Sequence, residues 1–78
     1  MRAYKVEKKP HLRVTATLIR HTRQQLHMSR PVFALKLRVS PRTLEKWEQG
    51  ETKPNDQAAA LILMVSKFPD TLKRLEEI

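Results

Sequence analysis

Apolar residues in this chain follow two different periods. In the stretch "RAYKVEKKP" they alternate, with Tyr4 and Val6 on one side and Lys5 and Glu7 on the other. That fits a short strand, or an arm ordered only by a partner. After Pro10 the period becomes helical. Leu18, Ile19, Thr22 and Leu26 form a stripe that predicts a helix from Thr15, its N-cap, to about His27. Ser29 caps a second helix, with Pro31 in its first turn and Phe33, Ala34 and Leu37 as its inner stripe. "VSPRTLEKWEQG" predicts a third: Ser40 as N-cap, Pro41 at the first helical position, Gly50 just past the end, and Leu44 and Trp47 facing inward. Asn55 caps a fourth helix running to about Lys67. Its "AAALILMV" is apolar on more than one face, so it is central or shared between core and subunit contact. A fifth helix follows Pro69, with Leu72, Leu75 and Ile78 in one stripe. The pattern predicts a compact all-α domain over residues 13–78, behind an N-terminal arm or strand over residues 1–12.

Only Arg38, Val39 and Ser40 separate the second and third helices. Two helices crossing steeply need a small residue where they approach most closely, and Ala34 supplies it. This is the helix-turn-helix pattern, in which the second helix of the pair is presented outward to a DNA major groove. Its outer side carries Arg42, Thr43 and Lys46 together near the N-terminal end. The alternative for these three is an ordinary solvated helix face. Trp47 could stack on an unpaired base, but three residues after Leu44 it sits on the inner stripe, where core packing explains it.

Charge sharpens this picture. The chain has 78 residues and a formal net charge of +8. Residues 1–28 hold seven Lys/Arg against one acid, residues 29–54 six against three, and residues 55–78 three against four. The first two thirds are suited to a polyanion, and the nearly neutral, apolar last third to self-association. A domain this small often relies on disulfides, a metal or a second subunit. Cysteine is absent, and His11, His21 and His27 lack ligand-like spacing, so no metal and no cofactor is expected and a homodimer is. Asp56 and Asp70 lie near helix starts, where the helix dipole accounts for them. With no phosphate loop and no nucleophile with a base, the chain is not expected to be an enzyme. No apolar run reaches the roughly 20 residues of a membrane span, and the charged N-terminus lacks a signal-peptide core; a cytoplasmic location is the simplest expectation.

The stretch "MSRPVFALKLRVSPRTLEKWEQGETKPN" resembles the helix-turn-helix of the phage-repressor-like (XRE) family. "RTLEKWEQG", followed by "KPNDQAAALILMV" and "FPDTLKRL", resembles HigA-type antitoxins of bacterial toxin–antitoxin operons. The wider resemblance covers about Leu18 to Pro54, and the antitoxin-like one extends it to the C-terminus. It implies a five-helix, lambda-repressor-like domain. It also implies that Arg23 pairs with Glu48 to tie the first helix to the end of the third. Arg42 and Lys46, with Thr43 beside them, fall where the family's recognition helix touches base edges. Arg30 stands where many members carry a phosphate-contacting glutamine. Ser29 and Ser40, at the starts of the second and third helices, together with Arg38 and Lys53, complete the expected phosphate contacts. In two further places the chain departs from the pattern. Arg38 replaces a common turn glycine and must either adopt a rarer backbone conformation or shift the turn slightly, and Pro41 removes one hydrogen-bonding side chain from the reading helix.

These readings lead to a DNA-binding homodimer on a palindromic operator, repressing its own operon as the antitoxin of a toxin–antitoxin pair. Leu61, Leu63, Met64, Phe68, Leu72, Leu75 and Ile78 are expected to share the core and the dimer contact. Tyr4 and Val6 are candidates for binding a toxin by strand addition. The arm could equally follow the DNA or do nothing, and its four basic residues and one acid suit a small basic toxin poorly. The rivals are a protein-interaction module using the helix pair as a scaffold, and a stand-alone regulator without a toxin.

Overall fold

The computed structural model describes residues 12–78, all helix and connecting turn, with no strand among them. Residues 1–11 of the arm, with Tyr4, Val6 and His11, lie outside the described residues. Five helices follow in order: α1 (Ala16–Gln25), α2 (Arg30–Leu37), α3 (Pro41–Glu48), α4 (Asp56–Lys67) and α5 (Thr71–Glu76). None is long and apolar enough to cross a membrane.

The first four start where a short polar side chain can take an orphan backbone donor. The amides of Leu18, Val32, Thr43 and Ala58 donate to the side chains of Thr15, Ser29, Ser40 and Asn55 at 3.1, 3.4, 3.1 and 2.9 Å. α5 starts differently. Asp70 precedes it in helical conformation without capping it, and its carboxylate accepts instead from Arg74 Nε at 3.3 Å.

Helices α1, α2 and α3 end alike, each on one left-handed residue: His27 (φ 54°), Arg38 (φ 61°) and Gly50 (φ 76°). In each case that residue's amide and the next one reach back to two terminal carbonyls. For α3, Gly50 donates to Trp47 at 3.2 Å and Glu51 to Lys46 at 2.9 Å; for α2, Arg38 donates to Leu35 at 3.1 Å and Val39 to Ala34 at 3.0 Å. This pair of hydrogen bonds is the Schellman ending. It stops α1 at Gln25, two residues before the sequence pattern suggested, because His27 has already turned left-handed. It also shows how the turn works without glycine, since Arg38 takes the left-handed conformation itself.

The core is one cluster of Ile19, Phe33, Ala34, Leu37, Leu44, Trp47, Ile62, Val65 and Leu72. α1 packs on α3 and α4, and α2 packs on α3 and α5. Ala34 is fully buried in this cluster, as a close helix crossing requires. α4 buries a single stripe, Ala59, Ile62 and Val65, and turns Met64 outward. Leu72, one of the residues expected to share the core and the dimer contact, is 4% exposed and belongs to the core, where α5 packs on α2 and α4. Leu61 and Leu75 are half-buried against the same cluster, while Met64, Phe68 and Ile78 are exposed.

Candidate nucleic-acid interface

The orientation of α3 is set from its inner side. Leu44, Trp47 and Glu48 are buried, and successive residues turn about 100° around a helix axis. Arg42 therefore points almost directly away from the core, and it is exposed. Lys46 lies about 40° to one side of it and Glu45 about 60° to the other. Thr43 falls on the flank: its amide donates to Ser40 Oγ at 3.1 Å, and the two hydroxyls are 2.8 Å apart. Ser40 and Thr43 thus fasten the start of the helix, leaving Arg42, Glu45 and Lys46 as the outward set. Arg42 and Lys46 make no ion pair among the described residues.

The far end of α3 is held by a charged cluster. Glu48 is 1% exposed, and its carboxylate accepts from Arg23 Nε at 2.8 Å and Nη2 at 3.0 Å, a two-point fork across 25 residues of sequence. Arg23 Nη1 also donates to the Met28 carbonyl at 3.2 Å, so one guanidinium joins the end of α1, its exit turn and α3. Arg30 Nε donates to Glu48 Oε1 at 3.2 Å, and Arg30 Nη1 lies 3.6 Å from Glu45. Arg20 donates to the Glu48 backbone carbonyl and, at 3.3 Å, to Thr17 Oγ1. No described buried side-chain polar atom lacks a partner.

The residues read from sequence as phosphate contacts divide into two groups. Ser29 and Ser40 are exposed at the starts of α2 and α3, and Lys53 is exposed on the loop before α4. Arg30 and Arg38 have partners within the chain: Arg30 faces Glu48 and Glu45, and Arg38 Nη2 donates to the Leu75 carbonyl at 3.0 Å. Lys36 on α2 bonds Glu76 on α5. That hydrogen bond, and then the lysine's charge, hold the Glu76 carboxyl below its ordinary value.

Sequence reasoning missed Arg20, which bonds the Glu48 backbone carbonyl, and Glu45 as part of the outward face. The signal for Glu45 was available, since a residue three after Arg42 shares its side of a helix. Nothing local announced Arg30–Glu48 or Arg38–Leu75, which are 18 and 37 residues apart.

Residues 19–65 match the family model described as "Helix-turn-helix". The chain is 50% identical over 56 residues to Antitoxin HigA-2 of Vibrio cholerae serotype O1, covering 72% of this chain and 54% of that protein. It is 42% identical over 59 residues to the type II methyltransferase M.SsoII of Shigella sonnei, of which the match covers 15%. The chain thus spans about half the length of the first relative and a small part of the second. With the matched segment enclosing α2, the turn and α3, this chain belongs to the helix-turn-helix family.

Proposed function

We propose that this protein is a sequence-specific DNA-binding transcriptional repressor, acting as the antitoxin of a toxin–antitoxin operon whose promoter it controls. The observation that carries this reading is the mounting of α3. Its inner face is locked by Leu44, Trp47 and the Arg23–Glu48 fork, and its outer face presents Arg42 and Lys46 without a partner among the described residues. Such a helix can enter a major groove without rearrangement, and Arg42 can take guanine O6 and N7 in a two-point contact. Lys53 and the starts of α2 and α3, with Ser29 and Ser40, supply phosphate contacts that set register. Arg30 and Arg38 join them where DNA draws them from their partners within the chain. The antitoxin role rests on the likeness to HigA-2, and no part of the reading requires catalysis.

A homodimer would place two α3 helices on a palindromic operator about one helical turn apart. The surface that suits it is the groove between α4 and α5, lined by Leu61, Met64, Phe68, Leu75 and Ile78. It lies in the part of the chain where positive charge is lowest, so two copies with a charge of +8 each meet there with least repulsion.

The test is a titration of the protein against its own promoter and a scrambled duplex at physiological salt. A preference of about 4–10 kcal/mol is expected of a sequence reader. Equal, salt-sensitive binding to both duplexes would leave α3 as a basic scaffold and favour the protein-interaction reading. Rescue of growth on co-expression with the product of the adjacent gene tests the antitoxin role, and its failure would leave a stand-alone regulator.

A further inference from the structure

Glu45 stands out on a surface otherwise built for a polyanion. It lies on the outer side of α3 next to Arg42, with its side chain half exposed. An acid there weakens attraction to phosphate, so its presence calls for a compensating contact. Folding does not provide one. Its one ion pair among the described residues is with Arg30 at 3.6 Å, between side chains 35% and 50% exposed. Pairs that open to solvent add little stability. Nor does Arg30 need Glu45, because Glu48, 1% exposed, already takes its Nε at 3.2 Å.

We propose that Glu45 is a specificity-determining residue that reads a base amino group in the major groove, with cytosine N4 as its preferred donor. The inference rests on the repressor reading above. A carboxylate is an acceptor only, and among the base edges of the major groove it is matched by the amino groups of cytosine and adenine. Adenine also presents N7, an acceptor that repels a carboxylate, whereas cytosine offers the amino group alone. Three residues along a helix advance it about 4.5 Å, comparable to a base-pair step of about 3.4 Å, so Glu45 addresses the pair next to the one read by Arg42. The guanines and phosphates that favour Arg42 are rejected by Glu45, so each excludes bases that the other accepts.

The experiment is selection from a randomised operator library, followed by titration of single-base variants, with wild type, Glu45→Ala, Glu45→Gln and Arg42→Ala. In wild type, replacing the cytosine is expected to weaken binding about 5- to 150-fold. Glu45→Ala should flatten preference at that pair and leave the Arg42 position intact. Glu45→Gln should move the preference to adenine, because an amide can pair with both adenine N6 and N7. If both variants instead bind every sequence more tightly by the same factor, with base preferences unchanged, Glu45 only repels phosphate and the proposal is wrong. If wild type itself selects no sequence, the repressor reading has failed and the proposal falls with it.

Discussion

Replacing Glu48 by glutamine keeps the side chain's shape and removes its charge, which isolates the cluster that mounts α3. Breaking a buried ion pair by removing one partner costs about 3–5 kcal/mol, because the remaining charge stays in a poor solvent. Here the remaining charges are not equally trapped. Arg23 is 16% exposed and forked onto Glu48 at 2.8 and 3.0 Å, whereas Arg30 is 35% exposed and can turn outward. The cost should therefore fall near the lower end, about 3 kcal/mol. Small domains have net stabilities of about 5–15 kcal/mol, so this is a large fraction of the total. At about 4–8 °C per kcal/mol for a domain this size, the midpoint of thermal unfolding should drop by about 12–24 °C. The assay is urea and thermal unfolding followed by circular dichroism, with the urea slope unchanged if the native state stays compact. Arg23→Gln should cost a similar amount, and the double variant less than the sum of the two, since they share one interaction. A loss below about 1 kcal/mol for Glu48→Gln would refute the reasoning: the arginines would then be re-solvating freely, and the fork would not hold α3.

Four further outcomes are expected. Arg42→Ala should relax preference at one base pair, whereas Lys53→Ala should weaken all duplexes alike and reduce the salt slope by about one, as a titration over salt would show. Gly50 has φ 76° and a Cβ there would meet nothing within 4 Å, so Gly50→Ala should cost only backbone strain, about 1–2 kcal/mol by urea unfolding. Because Lys36 holds the Glu76 carboxyl below its ordinary value, their contact is at full strength above the ordinary carboxylate range and is lost as pH falls through the lowered value. The pair is exposed, so acid titration of stability for wild type and Glu76→Gln should differ only slightly, and less at high salt. Phe68→Ser, on an exposed residue, should weaken self-association in analytical ultracentrifugation with little effect on the fold. Leu72→Ala should instead cost about 2–5 kcal/mol of folding stability.

Much of this architecture can be read along the chain because it depends on near neighbours. Thr15, Ser29, Ser40 and Asn55 each cap an amide three residues ahead, and that contact requires only the right side chain at the right offset. The apolar stripes of α2 and α3 and the brief turn between them likewise state a helix pair, and the outward direction of Arg42 follows from the inward direction of Leu44 and Trp47. Gly50 announced the end of α3, since glycine tolerates the left-handed conformation. His27 adopts the same conformation without announcing it, and at Arg38 only the missing turn glycine hinted at it; in both the bonds of the ending outweigh the strain.

What the sequence determined by itself is local: five helices, their starts, the helix-turn-helix pair and the uneven distribution of charge. Tertiary structure decided which long cation meets which acceptor. Arg30 turned towards Glu48 and Glu45, Arg38 towards the Leu75 carbonyl, and Lys36 towards Glu76, all across 15 or more residues of chain. It also decided that Leu72 lies inside while Met64, Phe68 and Ile78 remain outside. The physical reason is reach. A cap or a stripe is set by backbone geometry over three or four residues, whereas a flexible arginine can serve phosphate, carboxylate or carbonyl equally well until packing places one of them beside it.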